Sequence, residues 1–214
     1  MLVDTMLRSQ MKSPSLSQDR QPGPAGKVKL ANALRQLLAE KDFISITTAE
    51  ISRAAGTNEA LIYRYFGDKR GLLHEVLSEH LDSFFRQIVF DLKGIEGAVN
   101  KLRKLTWTHI YLYDHDRVLS KILLLEVRNS PGYFESKTYR TVQQYTRMIL
   151  DIIEEGVQNG EIRDDVPAAS LRQMILGSME HLCLPFVIFN KAMDVDELHQ
   201  DLCRILFGGI LKKR

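Results

Sequence analysis

Residues 46–66 read Ile46-Thr-Thr-Ala-Glu-Ile-Ser-Arg-Ala-Ala-Gly-Thr-Asn-Glu-Ala-Leu-Ile-Tyr-Arg-Tyr-Phe66, and this stretch decides the fold. It predicts two short helices around a tight turn, the arrangement that carries a helix into the major groove of DNA. Thr47 caps the first helix, and Glu50, three residues on, reaches back to complete a capping box. Ile51, Ala54 and Ala55 supply an apolar face. Gly56 stops the helix where a left-handed backbone is required. Asn58 caps the second helix, with Glu59 at its first position favoured by the helix dipole. Ile62 and Phe66 are four apart and face inward together, so the residues between them face out. The second helix is too short to serve packing alone, and it reads as a DNA-reading helix.

Working outward, Val28–Lys41 carries Leu30, Ala33, Leu34, Leu37 and Leu38, a helical stripe that braces this module. On the other side Asp68–Lys93 is a long helix with Leu72, Leu73, Val76, Leu77, Leu81, Phe84, Phe85 and Ile88. Thr47, Ile51, Ala55-Gly56, Asn58, Tyr63-Arg64-Tyr65-Phe66, Lys69 and Leu72-Leu73 together resemble the DNA-binding domain of the TetR family of transcriptional regulators. The resemblance runs without a gap from about Lys27 to Leu77. Its departures fall where DNA is read. The family usually has Val, Ser and a small residue or Gly at 57, 58 and 60, where this chain has Thr57, Asn58 and Ala60. Leu61 stands where the family often has Thr, Ala or Ser. These changes bear on the operator, not on the fold.

The remaining sequence reads as helix after helix. Ala98–Tyr113, Asp116–Arg128, Tyr133–Asn159, Pro167–Asn190 and Asp194–Leu211 follow, with Asn129-Ser-Pro-Gly132 and Asn159-Gly160 as stops. Pro185 predicts a kink inside its helix. No run of alternating β-branched residues signals a strand. The expected fold is all-α with about nine helices: a disordered tail over 1–26, a three-helix helix-turn-helix domain over 27–72, and a larger helical ligand-binding and dimerisation domain over 73–214. The tail is rich in Ser, Gln, Pro and Gly, too polar to offset its own ordering. A basic arm using Arg8, Lys12 and Arg20 is the alternative there, diluted by Asp4 and Asp19.

Net charge is only +2, but its distribution is informative. Lys27–Arg70 holds 8 Lys/Arg against 5 Asp/Glu, a local +3, while Gly71–Arg214 holds 18 against 20, a local −2. Positive charge therefore collects on the DNA module, as phosphate contact requires. Two cysteines, Cys183 and Cys203, are too few for a disulfide scaffold and fit a reducing, cytoplasmic setting as small buried side chains. No apolar run approaches the ~20 residues of a membrane span, and no signal peptide is visible. An enzyme is the rival class. His74, His80, His109, His115, His181 and His199 are scattered, and no Glu is followed three residues later by His. With no helical metal pair, no glycine-rich phosphate loop and no Gly-x-Ser-x-Gly elbow, the sequence predicts no catalytic residues, no metal and no cofactor. A helical scaffold without a DNA role leaves Tyr63, Tyr65 and Lys69 unexplained.

Helices 167–190 and 194–211 carry more apolar surface than one face needs: Leu171, Met174, Ile175, Met179, Leu182, Phe186 and Ile188 in one, Leu198, Leu202, Ile205, Leu206, Phe207 and Ile210 in the other. A helix apolar on two sides needs two partners. The resemblance implies that the second is another copy, forming a two-fold homodimer, with Gly177 and Ser178 permitting close approach; the alternative is a monomer whose last helix lies deep in its own core. Between this face and the DNA module, Phe84, Phe85, Trp107, Tyr111, Tyr145, Met148 and Met174 offer a lining for a small apolar effector, a mixture that an ordinary core also uses. Leu123-Leu-Leu-Glu-Val-Arg-Asn-Ser130 and Ile152-Ile-Glu-Glu-Gly-Val-Gln-Asn-Gly-Glu-Ile162 resemble the branch that regulates fatty acid degradation. That resemblance implies a tunnel for a fatty acyl-CoA, with Arg128 at its basic mouth.

The expected role is thus a ligand-responsive regulator that represses from double-stranded operator DNA. Thr47, Tyr63, Tyr65 and Lys69 are expected to hold phosphates. Glu59, Ala60, Leu61 and Arg64 are expected nearest base edges, Glu59 accepting from a cytosine amine and Leu61 touching a thymine methyl, with Thr48 and Asn58 alongside. Ligand is expected to act by moving helix 68–93 as a lever.

Overall fold

The computed structural model describes residues 24–210. The expected disordered tail lies outside them except at its end, where the first helix begins at Ala25 and so takes in Gly26. Nine α-helices and three short 3-10 turns account for the regular structure of the described residues, with no strand among them. The helices are α1 Ala25–Glu40, α2 Thr48–Ala55, α3 Ala60–Phe66, α4 Lys69–Asp91, α5 Ala98–His115, α6 Arg117–Leu125, α7 Lys137–Gln158, α8 Ala168–Phe189 and α9 Val195–Ile210.

Local chemistry sets the small module. Thr47 Oγ1 accepts from the Glu50 amide, and the Glu50 carboxylate accepts from the Thr47 amide, so the capping box is present in full. Gly56 ends α2 at φ 60°, the left-handed region where a side chain is strained. Asn58 Oδ1 accepts from the Ala60 amide at 2.8 Å, which caps α3.

Two helices differ from expectation. The segment expected as one helix over 116–128 stops at Leu125 and continues as a 3-10 turn, Val127–Asn129. Tyr133–Glu135 is likewise a separate 3-10 turn, because the Ser136 side chain accepts from the Tyr139 amide and starts α7 afresh at Lys137.

Buried side chains form two clusters. One joins α1–α3 to the first half of α4 through Leu30, Leu34, Ile46, Ile51, Ile62, Leu72, Leu73 and Leu77, and runs on into Leu119, Ile122, Leu123 and Val127 around α6. The other fills α5, α7, α8 and α9 around Leu102, Ile149, Ile153, Ile175, Met179 and Phe207. Each such side chain contributes ~1.5–3 kcal/mol by leaving water. Cys183 and Cys203 are free thiols within the second cluster. The helix α4 belongs to both, since Ile88 near its far end sits in the second. It spans 23 residues, about 34 Å at ~1.5 Å per residue.

Candidate functional site: a DNA-reading helix and an apolar cavity

The outer face of α3 presents Ala60, Tyr63 and Arg64 to solvent, with Asn58 exposed just before it. The Arg64 guanidinium lies 5.8 Å from the Tyr65 ring centre. Arg53 and Arg70, neither of them singled out from sequence, are also exposed on this module and extend its positive face.

The other expected DNA contacts are occupied within the motif. Lys69 Nζ donates to the carbonyls of Phe43 (2.9 Å), Ile44 (3.4 Å) and Ile46 (2.6 Å) and lies over the Phe43 ring. An ammonium has three donors, and here all three meet backbone oxygens. In the unbound chain Lys69 therefore bolts the start of α4 to the 3-10 turn before α2. Burial lowers its pKa, and neighbouring Arg70 adds to that. Glu59 accepts from the Thr48 hydroxyl, so in the unbound chain the two residues tie α2 to α3. Leu61 is half-buried: a Cβ placed on Gly26 would meet its Cδ1 at 3.2 Å and Tyr65 at 3.7 Å. The two side chains rest on α1. Thr47 keeps its backbone position at the start of α2, but its hydroxyl is engaged with Glu50.

Behind this module lies a cavity of about 270 Å³. Its wall comes from α4 (His80, Leu81, Phe84, Phe85), α5 (His109, Leu112, Tyr113), α6 (Leu119, Ser120, Leu123), α7 (Thr141, Val142, Tyr145, Thr146) and α8 (Gln173, Leu176, Gly177, Glu180), with Arg128 between α6 and α7. Of the eight residues expected to line it, Phe84, Phe85, Arg128 and Tyr145 do. Trp107 and Tyr111 do not. They stack on one another with ring centres 5.2 Å apart on the outer face of α5, and the Trp107 indole N–H donates to Asp196 of α9. Residues two apart lie about 200° round a helix, so once His109 faces in, Trp107 and Tyr111 must face out. Met148 packs against the second core cluster, and Met174 is 60% exposed on α8.

Arg128 is at the cavity, but it is not an unopposed positive charge. Its Nη1 lies 2.7 Å from Glu180 Oε1, and both side chains are about one-third exposed. Burial works against the guanidinium's charge, while the Glu180 hydrogen bond and charge raise its pKa overall.

The polar core of the cavity was missed from sequence, because the histidines were weighed only for metal-ligand spacing. His109 Nδ1 lies 2.6 Å from the Tyr145 hydroxyl, and the two rings stack at 5.5 Å. Burial, with Arg128 nearby, pushes the His109 pKa down to about 3. Burial likewise holds the Tyr145 phenol well above its ordinary value. Both are neutral at neutral pH. Among the described residues no group of three or more His, Cys, Asp or Glu is placed to hold a metal ion. Nor is any described helix long and apolar enough to cross a membrane.

The family pattern described as "Bacterial regulatory proteins, tetR family" matches residues 30–76. That described as "YsiA-like protein, C-terminal region" matches residues 77–209, more than half of the chain. The chain is 26% identical over 186 residues to the fatty acid metabolism regulator protein of Bacillus subtilis (strain 168), covering 87% of this chain and 96% of that one. The crystal structure of transcriptional regulator FadR from Bacillus subtilis in complex with stearoyl-CoA superposes with a TM-score of 0.77 at 25% identity. That match covers 86% of this chain and 98% of the other. The fatty acid degradation regulator FadR from Bacillus halodurans shares the fold, with a TM-score of 0.77 at 24% identity over 89% of this chain and 98% of its own.

Proposed function

This chain belongs to the TetR family of bacterial regulatory proteins, and from that membership we propose that it is a cytoplasmic, non-enzymatic homodimeric repressor released from its operator by a long-chain fatty acyl-CoA. Ligand-responsive DNA binding is the property of the family. The effector is our own reading, and the cavity carries it. Most of the surface that its wall exposes is apolar or aromatic, while His109, Tyr145, Gln173 and the ion pair Arg128–Glu180 place polar groups along it. Such a site suits a long apolar chain with a single polar junction. The solved relative in complex with stearoyl-CoA supports the same chemistry.

We assign the reading unit to residues 27–72, with Asn58, Ala60, Tyr63 and Arg64 facing DNA, and the ligand and dimer unit to 73–214. The dimer face is α8 with α9. Met174, Phe189 and Ile205 stand there 60%, 67% and 75% exposed, more apolar exposure than a lone helix pair gains anything by showing to water. Gly208 and Gly209 have open space where a Cβ would stand, room for close backbone approach by a second copy.

The test is a fluorescence-anisotropy titration of the protein on DNA from upstream of its own gene, across a salt series, with and without stearoyl-CoA. Repression relieved by ligand predicts tight, salt-dependent binding that stearoyl-CoA weakens. Operator affinity unchanged by every acyl-CoA chain length rejects this effector class.

A further inference from the structure

We propose that His109 is the specificity-determining residue of the cavity, its Nε2–H donating to the carbonyl oxygen of an acyl thioester, so that the site selects for the thioester and not only for chain length. The inference rests on the acyl-CoA reading above and sharpens it.

His109 is 8% exposed and lines the cavity. It is enclosed by aromatic neighbours: Tyr145, Tyr113 with ring centres 5.0 Å apart, and Phe84 at 6.4 Å. Its Nδ1 is taken up by the Tyr145 hydroxyl, yet its Nε2 is buried with no protein partner. A buried polar atom without a partner is costly, and in a cavity wall a ligand is the means of satisfying it.

The tautomer follows from counting donors. A neutral imidazole carries one N–H. If Nδ1 held it, Nδ1–H would donate to the phenol oxygen, leaving both the Tyr145 hydroxyl proton and the Nε2 lone pair without partners. If instead the Tyr145 hydroxyl donates to Nδ1, only Nε2–H is left over. The second arrangement strands fewer groups, so His109 offers a donor and calls for an acceptor. In an acyl-CoA the acceptor nearest the buried chain is the thioester carbonyl.

His80 is the other cavity histidine with an unpartnered Nε2. Its Nδ1 faces the Asp116 carboxylate at 3.6 Å, with Arg35 and His115 also acting on it. Burial lowers the His80 pKa, so the ring is neutral. Its single N–H then faces Asp116 from Nδ1, which leaves Nε2 an acceptor with nothing to donate to a carbonyl, and it lacks the aromatic enclosure that fixes His109. It therefore serves as the comparison.

The experiment compares stearoyl-CoA with S-octadecyl-CoA, the thioether of equal chain length in which a methylene replaces the carbonyl. Calorimetric titration of the full chain is expected to show about tenfold tighter binding of the thioester, the ratio that one net hydrogen bond supplies. His109→Phe is expected to bind the two equally, whereas His80→Gln keeps the preference. Equal binding of the two ligands by the wild-type protein overturns the proposal without any variant, so it stands or falls even if His109→Phe does not fold. A preference that survives in folded His109→Phe, or is lost in His80→Gln, also overturns it. Failure of wild-type protein to bind either ligand overturns the acyl-CoA reading and this inference with it.

Discussion

Lys69 Nζ lies 2.6 Å from the carbonyl oxygen of Ile46, the residue immediately before the Thr47 cap of the reading motif. One side chain thus joins the start of the long helix α4 to the threshold of α2. Any displacement of α4 is delivered to the reading helices at that point, not absorbed by a loose linker. Replacing Lys69 with Met keeps the aliphatic stem and strands the carbonyls. The expected loss is ~1–3 kcal/mol in denaturant unfolding, with weaker operator binding in proportion. The salt dependence of DNA binding is expected to stay at the wild-type slope, because no phosphate contact is lost. A slope shallower by about one released ion would return the ammonium to the phosphates.

Gly156 supports a second joint. A Cβ there would lie 2.6 Å from Ile162 Cδ1 and 2.8 Å from the Ala98 Cβ. The neighbouring Glu161 carboxylate accepts from the Ala98 and Val99 amides, capping α5, and Glu155 pairs with Lys101 at 2.8 Å. Gly156→Ala is therefore expected to lower stability by ~1–3 kcal/mol through overpacking, read as a lower melting temperature. Wild-type stability in this variant would mean that α5 and α7 separate easily.

Those two joints show what the sequence could and could not disclose. The caps at Thr47, Gly56 and Asn58 were legible because each depends on residues within four positions of itself. The carbonyl contacts of Lys69 were not legible, because its partners, 23 to 26 residues away, are backbone oxygens that no sequence pattern marks. Residues 152–162 carried a resemblance to acyl-CoA regulators, yet Glu155, Gly156 and Glu161 there build the α5–α7 joint and do not line the cavity. Along α5, aromatic size favoured Trp107 and Tyr111 as lining. The helix phase instead turns His109, Leu112 and Tyr113 inward, and only the packing of α7 and α8 fixes that phase.

The neutral state of His109 has a pH consequence. Its folded pKa, about 3, lies below the ordinary 6.5, so between those values the unfolded chain binds more protons. Stability from this group is complete above about pH 6.5 and is lost as pH falls toward 3. Folded His109→Phe is expected to show a flatter decline of unfolding free energy over that window. An identical decline would assign the acid sensitivity elsewhere; Glu50, whose carboxyl is held down to about 2 chiefly by Lys41 and also by the Thr47 amide, contributes only below about pH 4.5.

Glu180 neutralises Arg128 at 2.7 Å, so an anionic headgroup arriving at the cavity must compete with it. Glu180→Gln is expected to tighten stearoyl-CoA binding several-fold, and most at low ionic strength. Titration with the variant checks this, and weaker binding would show that the ion pair shapes the cavity wall instead.

Leu119 and Leu123 stand in two places at once: they line the cavity, and they belong to the buried cluster that holds α1–α4 together. On the ligand-responsive reading, the helix α6 offers a second route from cavity to DNA beside α4, and a shorter one. Phe84 and Phe85 are several turns of α4 away from Lys69, whereas Leu119 belongs to the module's own core. Ligand can shift operator affinity only by binding the two arrangements unequally, typically by ~1–3 kcal/mol of coupling. Leu119→Ala removes a side chain that lines the cavity and also belongs to the module's core. Ligand is expected to bind this variant nearly as well as wild type, yet to lower operator affinity much less. By reciprocity operator DNA should then weaken ligand binding less as well. Calorimetric titration of stearoyl-CoA with and without operator, on both proteins, measures that factor directly. Coupling in Leu119→Ala equal to wild type would leave α4 as the sole lever.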